Sequence, residues 1–159
     1  METLYSEIVV AGCGNPLYAD DGFGPAVVER LKDLKLPDNV TIVDAGLGGP
    51  HFVFTLLNPE STKTLIIVDI ADFGGEPGEL RWLAVDELPV GSYRDAHSWD
   101  LTEPLQYIKD DIRVRVLACQ KKYVSAPEMV IGITDEVKRA IPGAISEILK
   151  EIRTNYGTA

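Results

Sequence analysis

Four aspartates and one histidine are the residues of this chain best suited to chemistry. Asp20 and Asp21 stand side by side in IVVAGCGNPLYADDGFGP, beyond a glycine-rich turn. Asp44 closes TIVD, and Asp69 closes TLIIVD. Only two histidines occur, His51 and His97, and His97 lies in a long aperiodic stretch, DELPVGSYRDAHSW. Carboxylates with one imidazole are a donor set for a divalent transition metal if the fold gathers them. A phosphate cradle would call for the opposite charge at the loop's end.

Each residue also has a plainer reading. An aspartate after a strand is a common turn former, and Asp44 before GLGG is open to that reading. Asp20 or Asp21 can complement the positive end of the helix that follows, and Asp20 is the one expected to do so. Asp69 is harder to set aside, because a charge ending so apolar a run is costly to desolvate without a partner. His51, at a helix start, reads as structural.

Other chemistries fit less well. Gly12 and Gly14 lead into Asn15, Pro16 and Leu17, so the third glycine of a G-x-G-x-x-G dinucleotide motif is missing. No G-x-S-x-G nucleophile elbow is present. Cys13 as a nucleophile would need a histidine base beside it. Cys13 and Cys119 match no metal or redox spacing, and both sit in apolar segments, as expected of buried reduced thiols.

The elements that must position the acids follow from periodicity. IVVAG (8–12) and VRVLACQ (114–120) are short, mostly apolar runs of the kind that form buried parallel strands, TIVDAG (41–46) is a second strand, and TLIIVD (64–69), the most hydrophobic, is the candidate for the sheet centre. GELRWLAVDEL (78–88) is more charged and alternating, as at a sheet edge. PAVVERLKDL carries proline at its first helical position and an apolar stripe of Val27, Val28 and Leu31. HFVFTLLN predicts a short helix, and a further helix is expected at about 100–110, with Asp100 and Glu103 in capping-box spacing. KKYVSAPEMVIGI reads as an irregular return. TDEVKRAIPGAISEILKEIR reads as a closing amphipathic helix that Pro142 should bend. Strands alternating with helices imply an α/β protein, a three-layer α/β/α sandwich around a mostly parallel five-stranded sheet. The 159 residues are expected to form one domain, 1–159. In such a sheet, ligands bind beyond the C-terminal strand ends near the switch in strand order. Asp21, Asp44 and Asp69 all belong to that edge.

Charge narrows the partners. With 25 acidic and 15 basic residues the net charge is −10, which repels phosphate backbones and anionic membranes. No apolar stretch reaches the ~20 residues of a membrane span. The N-terminal METLYSE is acidic rather than basic, so a cytoplasmic protein is expected.

The pattern G-x-G-N-P-L-x-x-D-D-G-x-G, then V-D-A-G, then L-I-I-V-D, then a histidine in a loop before a helix, resembles the hydrogenase maturation endopeptidases. These are nickel-dependent proteases that trim the C-terminus of the [NiFe] hydrogenase large-subunit precursor. The likeness runs through the whole chain in order. It implies a metal set of Asp21, Asp69 and His97, with Asp21 and Asp44 as catalytic acids and the nickel supplied by the substrate. It leaves open whether the metal or an aspartate (Asp20, Asp21 or Asp44) activates water, so the protease is aspartic-type or metal-assisted. It also implies that the partner is the precursor, with a deazaflavin-coenzyme-reducing hydrogenase as the expected client; the protein is expected to be a monomer. Two rival readings are a non-catalytic nickel-sensing or chaperone module and a flavodoxin-like phosphate binder.

Overall fold

IVVAGC and TLIIVDIA become the two strands that are buried along their entire length, as continuous apolar runs in a parallel sheet should be. The computed structural model describes residues 6–46, 57–58, 60–84 and 112–156. Their elements are β1 (Ile8–Cys13), a single 3-10 turn (Asp20–Gly22), α1 (Phe23–Leu31), β2 (Val40–Gly46), β3 (Thr64–Ala71), β4 (Leu80–Leu83), β5 (Arg113–Gln120) and α2 (Asp135–Tyr156). The strands form one five-stranded sheet in the order β2-β1-β3-β5-β4. All neighbours are parallel except β4, which runs antiparallel to β5 at the edge. The expected α/β class and mostly parallel five-stranded sheet are therefore what the chain forms.

One face of the sheet packs Ile8, Val10, Ile66, Val68 and Leu117 against α1 and α2. Phe23, Val28 and Leu31 of α1, with Ile148 of α2, are fully buried there. Burial of each such side chain contributes about 1.5–3 kcal/mol. The opposite face carries Val9, Ala11, Leu65, Ile67 and Val116, with Leu57 packed on it. The helix expected at 100–110, and most of HFVFTLLN, lie outside the described residues.

Helix α1 begins at Phe23, two residues earlier than its proline suggested, because the 3-10 turn leads directly into it. Pro25 still falls in the first turn, where a missing N–H costs nothing. Gly24 lets the helix sit directly on the strand ends. A Cβ there would run into the carbonyl oxygens of Cys13 and Val68. Helix α2 runs through Pro142 to Tyr156. The edge strand is fastened to it: the Trp82 indole N–H donates to Glu147 at 3.0 Å, and Arg115 stacks on Trp82 while pairing with Glu151 at 2.7 Å. Among the described residues, no helix is long and apolar enough to cross a membrane.

Candidate active site

The strand order places the topological switch between β1 and β3, and the acids gather there. In register, Asp44 of β2 lies beside Gly12 of β1, which lies beside Val68 of β3. The β1–β3 ladder stops at that pair. Strand β3 instead continues with β5 through Ala71, so Asp69 is the first β3 residue without a β1 partner. Asp69 is therefore not the strand's last residue but the one at which a notch opens. It is only 5% exposed, and Oδ1 accepts the N–H of Ile70 at 2.7 Å.

Asp21 arrives from the loop after β1. Its Oδ2 accepts the Asn15 N–H at 2.9 Å, so the loop that brings the acid also holds it. Gly14, at φ 131°, makes this possible, since a Cβ there would collide with the Asp21 carbonyl oxygen and lie 3.4 Å from Oδ1. Asp44 comes close on the other side. A Cβ on Gly46 would lie 2.9 Å from Asp44 Oδ1 and 3.6 Å from the Gly14 carbonyl oxygen. Asp44 remains exposed and borders a groove of about 560 Å³ running between α1 and α2, lined also by Pro16, Ala26, Arg30, Ile131 and Lys138.

Cys13 reports the convergence of the three acids. Its thiol is pushed well above the usual cysteine range, first by burial and then by the charges of Asp69, Asp44 and Asp21. Three carboxylates from three separate elements thus act on one buried sulfur. The same shift keeps Cys13 protonated at neutral pH, which removes it as a nucleophile. Cys119, also buried, is pushed up to about 12 by desolvation and the Asp20 charge.

Asp20 departs from its expected role as a partner of the α1 N-terminus. It is fully buried, and both carboxylate oxygens face the return segment between β5 and α2. Oδ2 accepts the N–H groups of Lys122 and Tyr123 at 2.9 and 2.8 Å. Oδ1 accepts the N–H of Thr134 at 2.8 Å and its hydroxyl at 2.9 Å. Donors more than a hundred positions away outcompete a diffuse helix-end field because each makes a short, charge-assisted bond. With its oxygens so occupied and no exposure, Asp20 is unsuited to act as a general base, leaving Asp21 and Asp44.

Two contributors escaped the sequence reading. Gln120 is buried, accepts the N–H groups of Phe73 and Gly75 at 2.9 and 3.0 Å, and donates to Asp72 at 3.1 Å. It shapes the turn just beyond Asp69, and its one signal is a polar residue closing the apolar run VRVLAC. Thr134 leaves no signal at all. His97, His51 and the 86–99 loop lie outside the described residues. Among the described residues, no three His, Cys, Asp or Glu side chains are grouped so as to hold a metal ion.

An acid cluster at the switch point of a mostly parallel sheet is suited to activating water for hydrolysis. The family described as hydrogenase maturation protease matches residues 25–151, and the chain belongs to that family. It is a peptidase. Over 151 residues it is 50% identical to the coenzyme F420 hydrogenase subunit delta of Methanothermobacter thermautotrophicus, with 92% of this chain and 95% of that protein covered. The fold is similar to that of the hydrogenase maturating endopeptidase HybD of E. coli, at a TM-score of 0.77 and 24% identity, with 94% of each chain covered. A crystal structure of the hydrogenase 3 maturation protease is similar at a TM-score of 0.74 and 25% identity, over 91% of this chain and 90% of that one.

Proposed function

We propose that the protein is the nickel-dependent endopeptidase that removes the C-terminal extension of a [NiFe] hydrogenase large-subunit precursor after nickel insertion. The name of the relative at 50% identity supports a coenzyme F420 hydrogenase as the client. The observation that carries the reading is the gathering of three acids around the C-terminal end of β1 at the switch point: Asp44 in register with Gly12, Asp69 just past Val68, and Asp21 held by the Asn15 N–H. Two of these acids, Asp21 and Asp69, would supply oxygen donors to the nickel that the precursor brings, and His97 would supply a nitrogen. That mixed set suits nickel(II) and leaves coordination positions for the substrate's own groups. An empty precursor would lack the bridging ion, so cleavage would wait for metal insertion.

Asp44 is exposed at the groove and free to meet water, so it serves as the general base, with Asp21 close by. Hydrolysis then adds water oxygen to the scissile carbonyl carbon and returns the abstracted proton to the departing amine. The bound divalent ion would lower the barrier by polarising that carbonyl or acidifying the water. The protein is proposed to act as a cytoplasmic monomer.

Mass spectrometry of nickel-loaded precursor incubated with the protein tests the reading. Loss of the C-terminal extension is expected, and nickel-free precursor should remain whole. Asp21→Asn and His97→Ala should keep the circular dichroism of the parent and stop processing. Full processing by both variants would remove the ligand assignment.

A further inference from the structure

Among the described residues, the large hydrophobic side chains left exposed are Leu17, Leu34, Tyr123, Met129, Val130 and Ile131. All except Leu34 lie on two segments, the loop after β1 and the return from β5 to α2. Those segments are bound to each other along their length. The Val130 N–H donates to the Leu17 carbonyl at 2.8 Å, the Ala19 N–H to the Val130 carbonyl at 2.8 Å, and the Asp20 N–H to the Tyr123 carbonyl at 3.1 Å. The Asp20 carboxylate then takes up both ends of the return, at Lys122, Tyr123 and Thr134.

The arrangement has a cost. Ala19 is held at φ 58°, a left-handed conformation that disfavours any residue with a Cβ. A buried charge is spent on backbone amides. The result is a strap that, beside the exposed Lys122 and Glu128, carries strongly exposed apolar side chains, Met129 at 70% exposure and Ile131 at 74%. Clustered exposed apolar groups of this kind mark interaction surfaces. Leu17 belongs to the same loop as Asp21, and Ile131 lines the same groove as Asp44. The end of the strap, Ile131 to Ile133, thus forms part of the wall of the groove that Asp44 borders.

We propose that Leu17 and the 121–134 strap, pinned on Asp20, form an apolar docking face that seats an apolar segment of the hydrogenase precursor beside its cleavage point. The identity of the partner rests on the proposed function. The surface's continuity with the acids favours the precursor over a second copy of this chain.

The test is Met129→Ser/Ile131→Ser, with Leu34→Ser as a control on the unrelated exposed leucine. Processing of nickel-loaded precursor is followed as kcat and KM, and precursor binding to each protein is measured by calorimetry. The double variant should raise KM about tenfold or more, as loss of anchoring apolar contacts does, with kcat within about twofold. Leu34→Ser should match the parent. An unchanged KM overturns the docking face while leaving the peptidase reading intact. So does an unchanged KM accompanied by loss of a dimer on size exclusion, which would make the face a contact between copies. If the parent fails to cut but binds precursor, loss of binding in the double variant supports the face separately from the proteolysis. If the parent neither cuts nor binds, both readings fall.

Discussion

Thr134 gives both its backbone N–H and its hydroxyl to the carboxylate of Asp20, at 2.8 and 2.9 Å, across 114 positions of sequence. The bond joins the turn that carries Asp21 to the residue that precedes α2. Removing the carboxylate strands the amides of Lys122, Tyr123 and Thr134 together, each at a cost of about 1–3 kcal/mol if it stays buried. Asp20→Ala is therefore expected to lower unfolding free energy by on the order of 3 kcal/mol or more in urea titration. It should also open the 121–134 segment to proteolysis before the rest of the chain.

Gly24 is the tightest seat of α1. A methyl group there would press on backbone atoms of Cys13 and Val68, which cannot move aside as a side chain tip could. Gly24→Ala should destabilise by roughly 3 kcal/mol, the upper end of overpacking. It should also displace the loop bearing Asp21, so precursor processing should fall even at temperatures where circular dichroism reports a folded protein.

Asp44 is exposed and makes no demand on the core, so Asp44→Asn should leave the denaturation midpoint unchanged. Loss of a general base costs about 10²–10⁴ in rate. The expected outcome is a kcat reduced by at least about a hundredfold, with KM close to that of the parent. A kcat within a few-fold of the parent would assign base chemistry elsewhere.

The two thiols set an alkaline limit. Cys119 is raised from 9.0 to about 12, and Cys13 well above 9.0. The folded protein holds protons that the unfolded chain releases, so this contribution is complete below about pH 9 and declines as pH rises towards 12. Each thiol steepens the fall by up to about 1.4 kcal/mol per pH unit. Urea titrations between pH 8 and 11 should show a flatter decline for Cys13→Ser/Cys119→Ser than for the parent. At pH 8 neither cysteine of the native protein should react with a thiol reagent, and both should react in urea.

Periodicity carried the fold a long way. Apolar runs located β1, β2, β3 and β5 to within two residues, and the most continuous of them, β1 and β3, are the strands buried along their whole length. The charges of GELRWL marked β4 as the edge. The acids were legible too, because a parallel sheet sends every strand's C-terminal end to one rim. Strand bounds were less legible. Strand β3 runs past Asp69 to Ala71 because β5 goes on pairing after β1 has turned away, and that depends on a neighbour the local sequence does not name.

What the sequence determined by itself was local: which segments are apolar enough to be strands, where glycine must bend the chain, and which carboxylates sit at strand ends. Only the tertiary structure decided what each carboxylate does. Asp20 and Asp21 are adjacent and chemically identical, yet one is buried under amides from residues 122, 123 and 134 while the other turns towards Asn15 and Gly14. A hydrogen bond is settled by which donors lie within 3 Å in space, and the donors that claimed Asp20 are a hundred residues away along the chain.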